Sequence, residues 1–270
     1  MRIKGKSSKI KPKMNETLTP GLLLVLIPLI IVVAGAYASV GLGGGTGYLA
    51  VMTLVGMSTA TMTPIALFLN LVVTGTALLR FGLAGRLKWR LFLPFLLPAM
   101  PAAFLGGIIT ADRKVFLSLL AITLMAAAFI MLRNAPNALE HGQEPEQKRL
   151  LFLALPAGFT IGFLSGFLGI GGGVFLGPLM IFLGWANPKE IAAMNSALIL
   201  ALSTIALVAH GTKGNIELIV ILPLATAALI GGLGGATFAE KRLSARALQR
   251  VFAVIILIAA IKAAYDVISS

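Results

Sequence analysis

Cysteine is absent from the 270-residue chain, and histidine occurs only as His141 and His210. Disulfides, thiolate metal sites and thiol nucleophiles are thereby excluded, and two imidazoles make no metal cage without carboxylate help. Carboxylates are scarce as well. The nine are Glu16, Asp112, Glu140, Glu144, Glu146, Glu190, Glu217, Glu240 and Asp266, each in a polar stretch or at the end of an apolar run. Charged residues make up 11% of the chain, against about 25% in a soluble domain. No nucleophile, acid–base pair or metal cluster falls within an apolar segment. The sequence therefore calls for no catalytic residue, no metal site and no cofactor, and an enzyme is not expected.

What fills the chain instead is apolar: 58% of residues are hydrophobic and 30 are glycine. One soluble core of this length cannot hide that much apolar surface. Soluble enzyme, secreted toxin and disordered chain are poor readings, and an all-α polytopic membrane protein is expected. The net charge of +13 does not point to nucleic acid, because six of the 22 Lys and Arg sit in the first thirteen residues. A basic stretch next to an apolar span reads as an anchor beside anionic lipid.

A span needs about 20 apolar residues. Candidates run Thr19–Val40, Ile65–Phe81, Leu91–Ala111 and Val115–Leu132, then Leu150–Leu168, Ile191–His210, Leu218–Ala239 and Val251–Ile268. The polar segment Arg133–Arg149 separates the two sets. Residues 1–18 form a basic tail, 19–132 and 150–270 two membrane units, and 133–149 a solvated linker. AYAS at Ala36–Ser39 resembles a signal-peptide cleavage site, but the matching segment Leu150–Leu168 is internal, so the first span is retained. Tyr48–Met57 and Val174–Leu183 are too short to cross. Each follows a glycine cluster, which predicts re-entrant or broken half-helices.

The two halves repeat. GLGGG at Gly41–Gly45 matches GIGGG at Gly169–Gly173 at an offset of 128. After one inserted residue near Asn187–Glu190, the pairs Gly82/Gly211, Gly85/Gly214, Pro94/Pro223 and Gly106/Gly235 follow at 129. Two homologous four-span repeats, each with a short helix after a glycine motif, are a plan typical of transporters. Eight crossings put 15 Lys and Arg inside and 7 outside, whereas ten crossings give 10 and 12. The positive-inside rule thus favours eight, with the N-terminus, linker and C-terminus all cytoplasmic.

Three consecutive glycines let the backbone turn sharply with φ > 0. Their successive N–H groups can converge on an anion, aided by the positive end of the following half-helix. No GK[ST] follows, so a nucleotide loop is not supported. Gly43, Gly44, Gly45 and Thr46 in one half and Gly171, Gly172 and Gly173 in the other are the candidate binding residues. Among polar residues inside spans (Asn70, Thr74, Thr76, Asn195, Ser196, Ser203 and Thr204), Asn70, Asn195 and Ser196 are the candidate side-chain contacts, since hydroxyls more often bond their own helix. Gly231–Gly235 and Ala102–Gly107 read as helix-packing surfaces. His210 and Arg80 read as snorkelling residues, and Trp89 and Trp185 as interfacial anchors.

Twin G-[LI]-GGG motifs, each followed by a short helix, a G-x-hydrophobic turn (Gly85–Leu87, Gly214–Ile216) and a Gly-rich span, resemble the sulfite exporter TauE/SafE family over residues 20–268. The resemblance implies a secondary transporter that moves small sulfur-containing anions across the bacterial cytoplasmic membrane. Its implied partners are a small anionic substrate and membrane lipid, with no nucleic acid; self-association into a homo-oligomer is compatible with it. Two departures stand out: Ala50 occupies the place of Pro178, and Ala66–Leu67 that of Asn195–Ser196. A carboxylate or metal-cation transporter and a non-transporting scaffold are the alternatives.

Overall fold

The computed structural model describes residues 20–39, 41–82, 85–109, 112–132, 145–211, 218–242 and 245–269. The basic tail, and most of the 133–149 segment, lie outside them. Ten helices are present among the described residues: α1 Pro20–Ser39, α2 Gly45–Leu54, α3 Thr59–Gly82, α4 Trp89–Ile108, α5 Arg113–Leu132, α6 Gln147–Leu168, α7 Gly173–Leu183, α8 Pro188–Gly211, α9 Leu218–Arg242 and α10 Ala245–Ile268. Eight have 20 to 25 residues, enough for about 30 Å of hydrocarbon. Helices α2 and α7 have 10 and 11. Among the described residues, five helices are long and apolar enough to cross a membrane: α1, α3, α4, α6 and α8. The protein is an all-α, multi-pass membrane protein.

Helices α3 and α8 are among those that begin earlier than the apolar runs suggest, because their first turns are polar. Before α3, the Ser58 hydroxyl accepts the Thr61 N–H at 3.3 Å and lies 2.7 Å from the Thr61 hydroxyl. At the start of α8, Asn187 Oδ1 accepts the N–H groups of Lys189 and Glu190, and Glu190 Oε2 accepts the Asn187 N–H at 2.9 Å. This reciprocal cap is followed by Pro188 at the first helical position, where its missing N–H does no harm.

Close contacts fix the direction of each helix. On α6, Gly158, Gly162 and Gly166 meet the carbonyls of Phe95, Ala99 and Ala103 on α4, and a Cβ at any of the three would overlap backbone. Both series climb by four, so α4 and α6 run parallel. At one end of α4, Lys88 pairs with Glu190 of α8 at 3.3 Å; at the other, Gly107 meets Ala209 and Ala206 of the same helix. Helices α4, α6 and α8 therefore share one direction, from a Glu190 end of the molecule to a His210 end. Phe116, early in α5, lies against Phe167, late in α6, with ring centroids 5.7 Å apart. Helix α5 accordingly starts at the His210 end and finishes at the Glu190 end.

Helices α1 and α3 run the other way. The Gly41 carbonyl, just past α1, lies 3.1 Å from the Ser196 hydroxyl, on the Glu190 side of the middle of α8. Helix α2 then folds back along α1: Thr46 bonds Tyr37 at 3.1 Å, and Gly47 packs on Val33 and Tyr37. It delivers the chain to the start of α3, where Thr53 Oγ1 lies 3.7 Å from Met62 Sδ. In the second half Gly169, just past α6, rests on Thr63 of α3 at the His210 end, and α7 leads back to the Glu190 end. Each short helix thus returns the chain to the end from which the preceding long helix set out.

This corrects the sidedness expected from charge. Eight crossings put Lys88 and Lys189 on opposite sides, but the Lys88–Glu190 pair holds their loops at one end. The helices flanking the 133–149 segment also meet that end, opposite the start of α1. Hydropathy reports the length of an apolar run and carries no information about its direction. Two more expectations are corrected. Trp185 is 2% exposed and packs among residues of α4, α6, α7 and α8, whereas Trp89 is exposed as an anchor would be. His210 is buried, with Nε2 3.1 Å from the Gly166 carbonyl, because α6 passes close enough to cover it. The Arg80 side chain lies outside the described residues.

Candidate functional site

Helices α3 and α8 have 24 residues each, and they meet at their midpoints. Asn70 is the twelfth residue of α3 and Ile199 the twelfth of α8, equivalent positions at the 129 offset. Both glycine loops converge on this pair. A Cβ placed on Gly43 would fall 2.8 Å from Asn70 Oδ1 and 2.9 Å from Ile199 Cγ2. One placed on Gly171 would fall 2.6 Å from Ile199 Cγ2 and 2.8 Å from Asn70 Nδ2. Gly45 lies against Asn70 Nδ2 and the Ile170 carbonyl, and Gly173 against Ile199 and Leu42. The loops touch each other through backbone, which leaves no room for side chains at Gly45.

The loops end in left-handed glycines, Gly44 with φ +89° before α2 and Gly172 with φ +80° before α7. An L side chain reaches that region only with strain. The first intrahelical bond of α2 is Tyr48 N–H to the Gly44 carbonyl at 2.8 Å. In α7 the Phe175 and Leu176 N–H groups both donate to the Gly172 carbonyl, at 3.1 and 3.3 Å. The N–H groups of Gly45, Thr46 and Gly47, and of Gly173 and Val174, therefore precede the helical ladder and remain as end donors. Each helix end adds the equivalent of about half a positive charge.

Among side chains, Asn70 is 0% exposed and neither Nδ2 nor Oδ1 has a hydrogen-bond partner. The Ser203 hydroxyl is likewise buried and unpartnered, 3.3 Å from the position a Cβ would take on Gly171. Its equivalent Thr74 donates to the backbone carbonyl of Asn70 at 2.6 Å and turns its methyl toward Gly43. A buried polar group without a partner is expensive, so Asn70 and Ser203 mark a polar spot at the crossing.

The structure brings Gly43, Gly45, Gly171, Gly173 and Asn70 together. Gly44 and Gly172 shape the loops, with their Cβ directions toward the Tyr48 ring and toward Ile161 and Leu202. The remaining three candidates lie elsewhere. The Thr46 hydroxyl is engaged by Tyr37. Ser196 bonds the carbonyls of Ala192 and Gly41, at 2.8 and 3.1 Å, and so ties α8 to the first loop. Asn195, whose Oδ1 is unpartnered, sits one turn from Ile199 beside Gly177 of α7. Ser203 and Ile199 were not singled out as site residues from sequence, although the repeat register points to both. Among the described residues, the buried side chains with polar groups include Thr, Asn, Ser, His210 and the tyrosines Tyr37 and Tyr48, and no Asp, Glu, Lys or Arg is buried.

Comparison with known proteins identifies a family and two relatives. The family model described as sulfite exporter TauE/SafE matches residues 25–263. A probable membrane transporter protein, y4hK, from Sinorhizobium fredii (strain NBRC 101917 / NGR234) is 36% identical over 234 residues, covering 86% of this chain and 94% of the relative. A probable membrane transporter protein from Xylella fastidiosa (strain 9a5c) is 30% identical over 231 residues, 82% of this chain and 87% of its own length. No solved structure matches. The chain belongs to the sulfite exporter TauE/SafE family.

Proposed function

We propose that the protein is a secondary transporter that exports small anions, such as sulfite or short organosulfonates, across a bacterial cytoplasmic membrane. The observation that carries this reading is the convergence of two helix N-termini on the buried, unpartnered Asn70. Anions bind helix N-termini because N–H groups and the helix dipole both favour negative charge. Discontinuous helices whose positive ends face an anionic substrate near the bilayer midplane are a recurrent transporter device. The two halves act as repeats of one unit, each contributing one glycine loop and one crossing helix.

Gly43, Gly45, Gly171 and Gly173 let the two loops close onto each other and onto the crossing because they have no side chains, and Asn70 and Ser203 contact the ligand directly. Gly44 and Gly172 hold the N–H groups in place. The test is flux from proteoliposomes loaded with sulfite, short sulfonates or short carboxylates. Saturable efflux of the sulfur anions, competed weakly by carboxylates, supports the reading. Efflux of carboxylates alone would sink it.

A further inference from the structure

The site contains a group that a simple oxyanion cannot satisfy. Asn70 is fully buried and both ends of its amide are unpartnered. One end lies against Gly43 and the other between Gly45 and Gly171. Whichever way the amide is turned, one end donates and the other accepts. The end N–H groups of α2 and α7, the amide NH₂ and the Ser203 hydroxyl can all donate to oxyanion oxygens. The amide carbonyl is itself an acceptor, has no partner in the structure, and is left without one once these donors turn to the oxyanion. It needs a donor from the ligand.

Charge narrows the ligand further. Two helix ends supply about half an elementary charge each, and among the described residues no Lys or Arg is buried near them. The site therefore balances about one negative charge, and a dianion would carry a second one uncompensated into a low-dielectric interior.

We propose that the site selects singly charged oxyanions that also carry a hydrogen-bond donor, with the Asn70 carbonyl reading that donor. Hydrogensulfite fits and the sulfite dianion does not; a hydroxyalkanesulfonate fits better than an alkanesulfonate of the same size. This inference rests on the reading of the crossing as an anion site.

The experiment is calorimetric titration of the purified, full-length protein in nanodiscs with 2-hydroxyethanesulfonate and propane-1-sulfonate. These are permanent monoanions of similar shape that differ by a hydroxyl in place of a methyl. A buried acceptor left unpaired weakens binding by about tenfold or more, so hydroxyethanesulfonate should bind at least about tenfold tighter. In Asn70→Leu both ligands weaken and the ratio falls to near one, whereas Ser203→Ala weakens both and keeps the ratio. The dianion sulfoacetate should bind more weakly than hydroxyethanesulfonate. Equal affinities in the wild type overturn the donor reading while leaving the anion site standing. A strict sodium requirement without discrimination also overturns it, because a cation would then answer the carbonyl. Absence of any sulfonate binding by protein with a cooperative melt would remove the anion site itself, and this inference with it.

Discussion

At the scale of single residues, the glycines of the two loops divide by what a methyl group would meet. Gly44 and Gly172 sit at φ +89° and +80°, where an L residue is strained by about 1–2 kcal/mol. In Gly172→Ala the new methyl also meets Ile161 and Leu202, at 2.9 and 3.1 Å. Gly232 lies within α9, and its nearest neighbour would be Thr76 Oγ1 at 3.6 Å, an ordinary contact. Gly44→Ala and Gly172→Ala should therefore insert yet bind sulfonate at least about tenfold more weakly, since a loop that relaxes its strain turns its N–H groups away. Gly232→Ala should bind as the wild type does and melt no lower, because alanine is the better helix former. Wild-type affinity in both loop variants would mean that the loops only pack. The motif was legible in the sequence because glycine runs are rare and this one recurs at a fixed offset. The role of Ser196 was not. Its hydroxyl reaches the Gly41 carbonyl across 155 residues of chain, a contact that no local pattern encodes.

At the scale of elements, all ten helices could be read from apolar runs and glycine breaks, and the described residues form eight long helices and two short ones. The start of α3 was misplaced because Thr59, Thr61 and Thr63 dilute the apolar signal while bonding within their own turn. The closest packing has a sequence signature of its own: Gly158, Gly162 and Gly166 recur every four residues along α6, the small-residue spacing that lets backbones approach in membranes. Because α4 presents the Ala99 carbonyl where a Cβ of residue 162 would lie, Gly162→Val must separate α4 from α6. A loss of about 1–3 kcal/mol or more is expected from overpacking a close contact. The melting temperature should fall by several degrees, whereas Gly234→Ala, with nothing within 4 Å of its new methyl, should leave it unchanged. Equal melting of the two variants would show that the α4–α6 seam has slack.

At the scale of the whole molecule, the direction of travel was hidden from the sequence because Lys and Arg divide almost evenly between the two ends when α2 and α7 return the chain. The native lack of cysteine makes direction measurable. Single cysteines at Lys88, Glu146 and Glu190 should react with a membrane-impermeant thiol reagent from one side, and a cysteine at Asp112 from the other. Labelling of the Lys88 and Glu190 positions from opposite sides would restore the eight-crossing arrangement and contradict the ion pair between them.

The driving force is argued at the same scale, from what the interior lacks. Proton-coupled transport needs a titratable group that meets the substrate or its path, and such groups inside membranes are acidic or imidazole side chains. Among the described residues, no carboxylate is buried, and the buried His210 is held against the Gly166 carbonyl at the end of α8, away from the Asn70 crossing. On the proposed reading, a singly charged substrate would instead be moved by the membrane potential, at about 2.3 kcal/mol per charge per 100 mV, which supports a concentration ratio of about fiftyfold. Proteoliposomes given a potassium-diffusion potential and no pH gradient should therefore move the anion, at a rate that rises with the potential and reverses with its sign. His210→Gln should retain this potential-driven flux. A flux that persists only under a pH gradient with the potential clamped, and that vanishes in His210→Gln, would make the imidazole the proton carrier and remove the electrogenic mechanism.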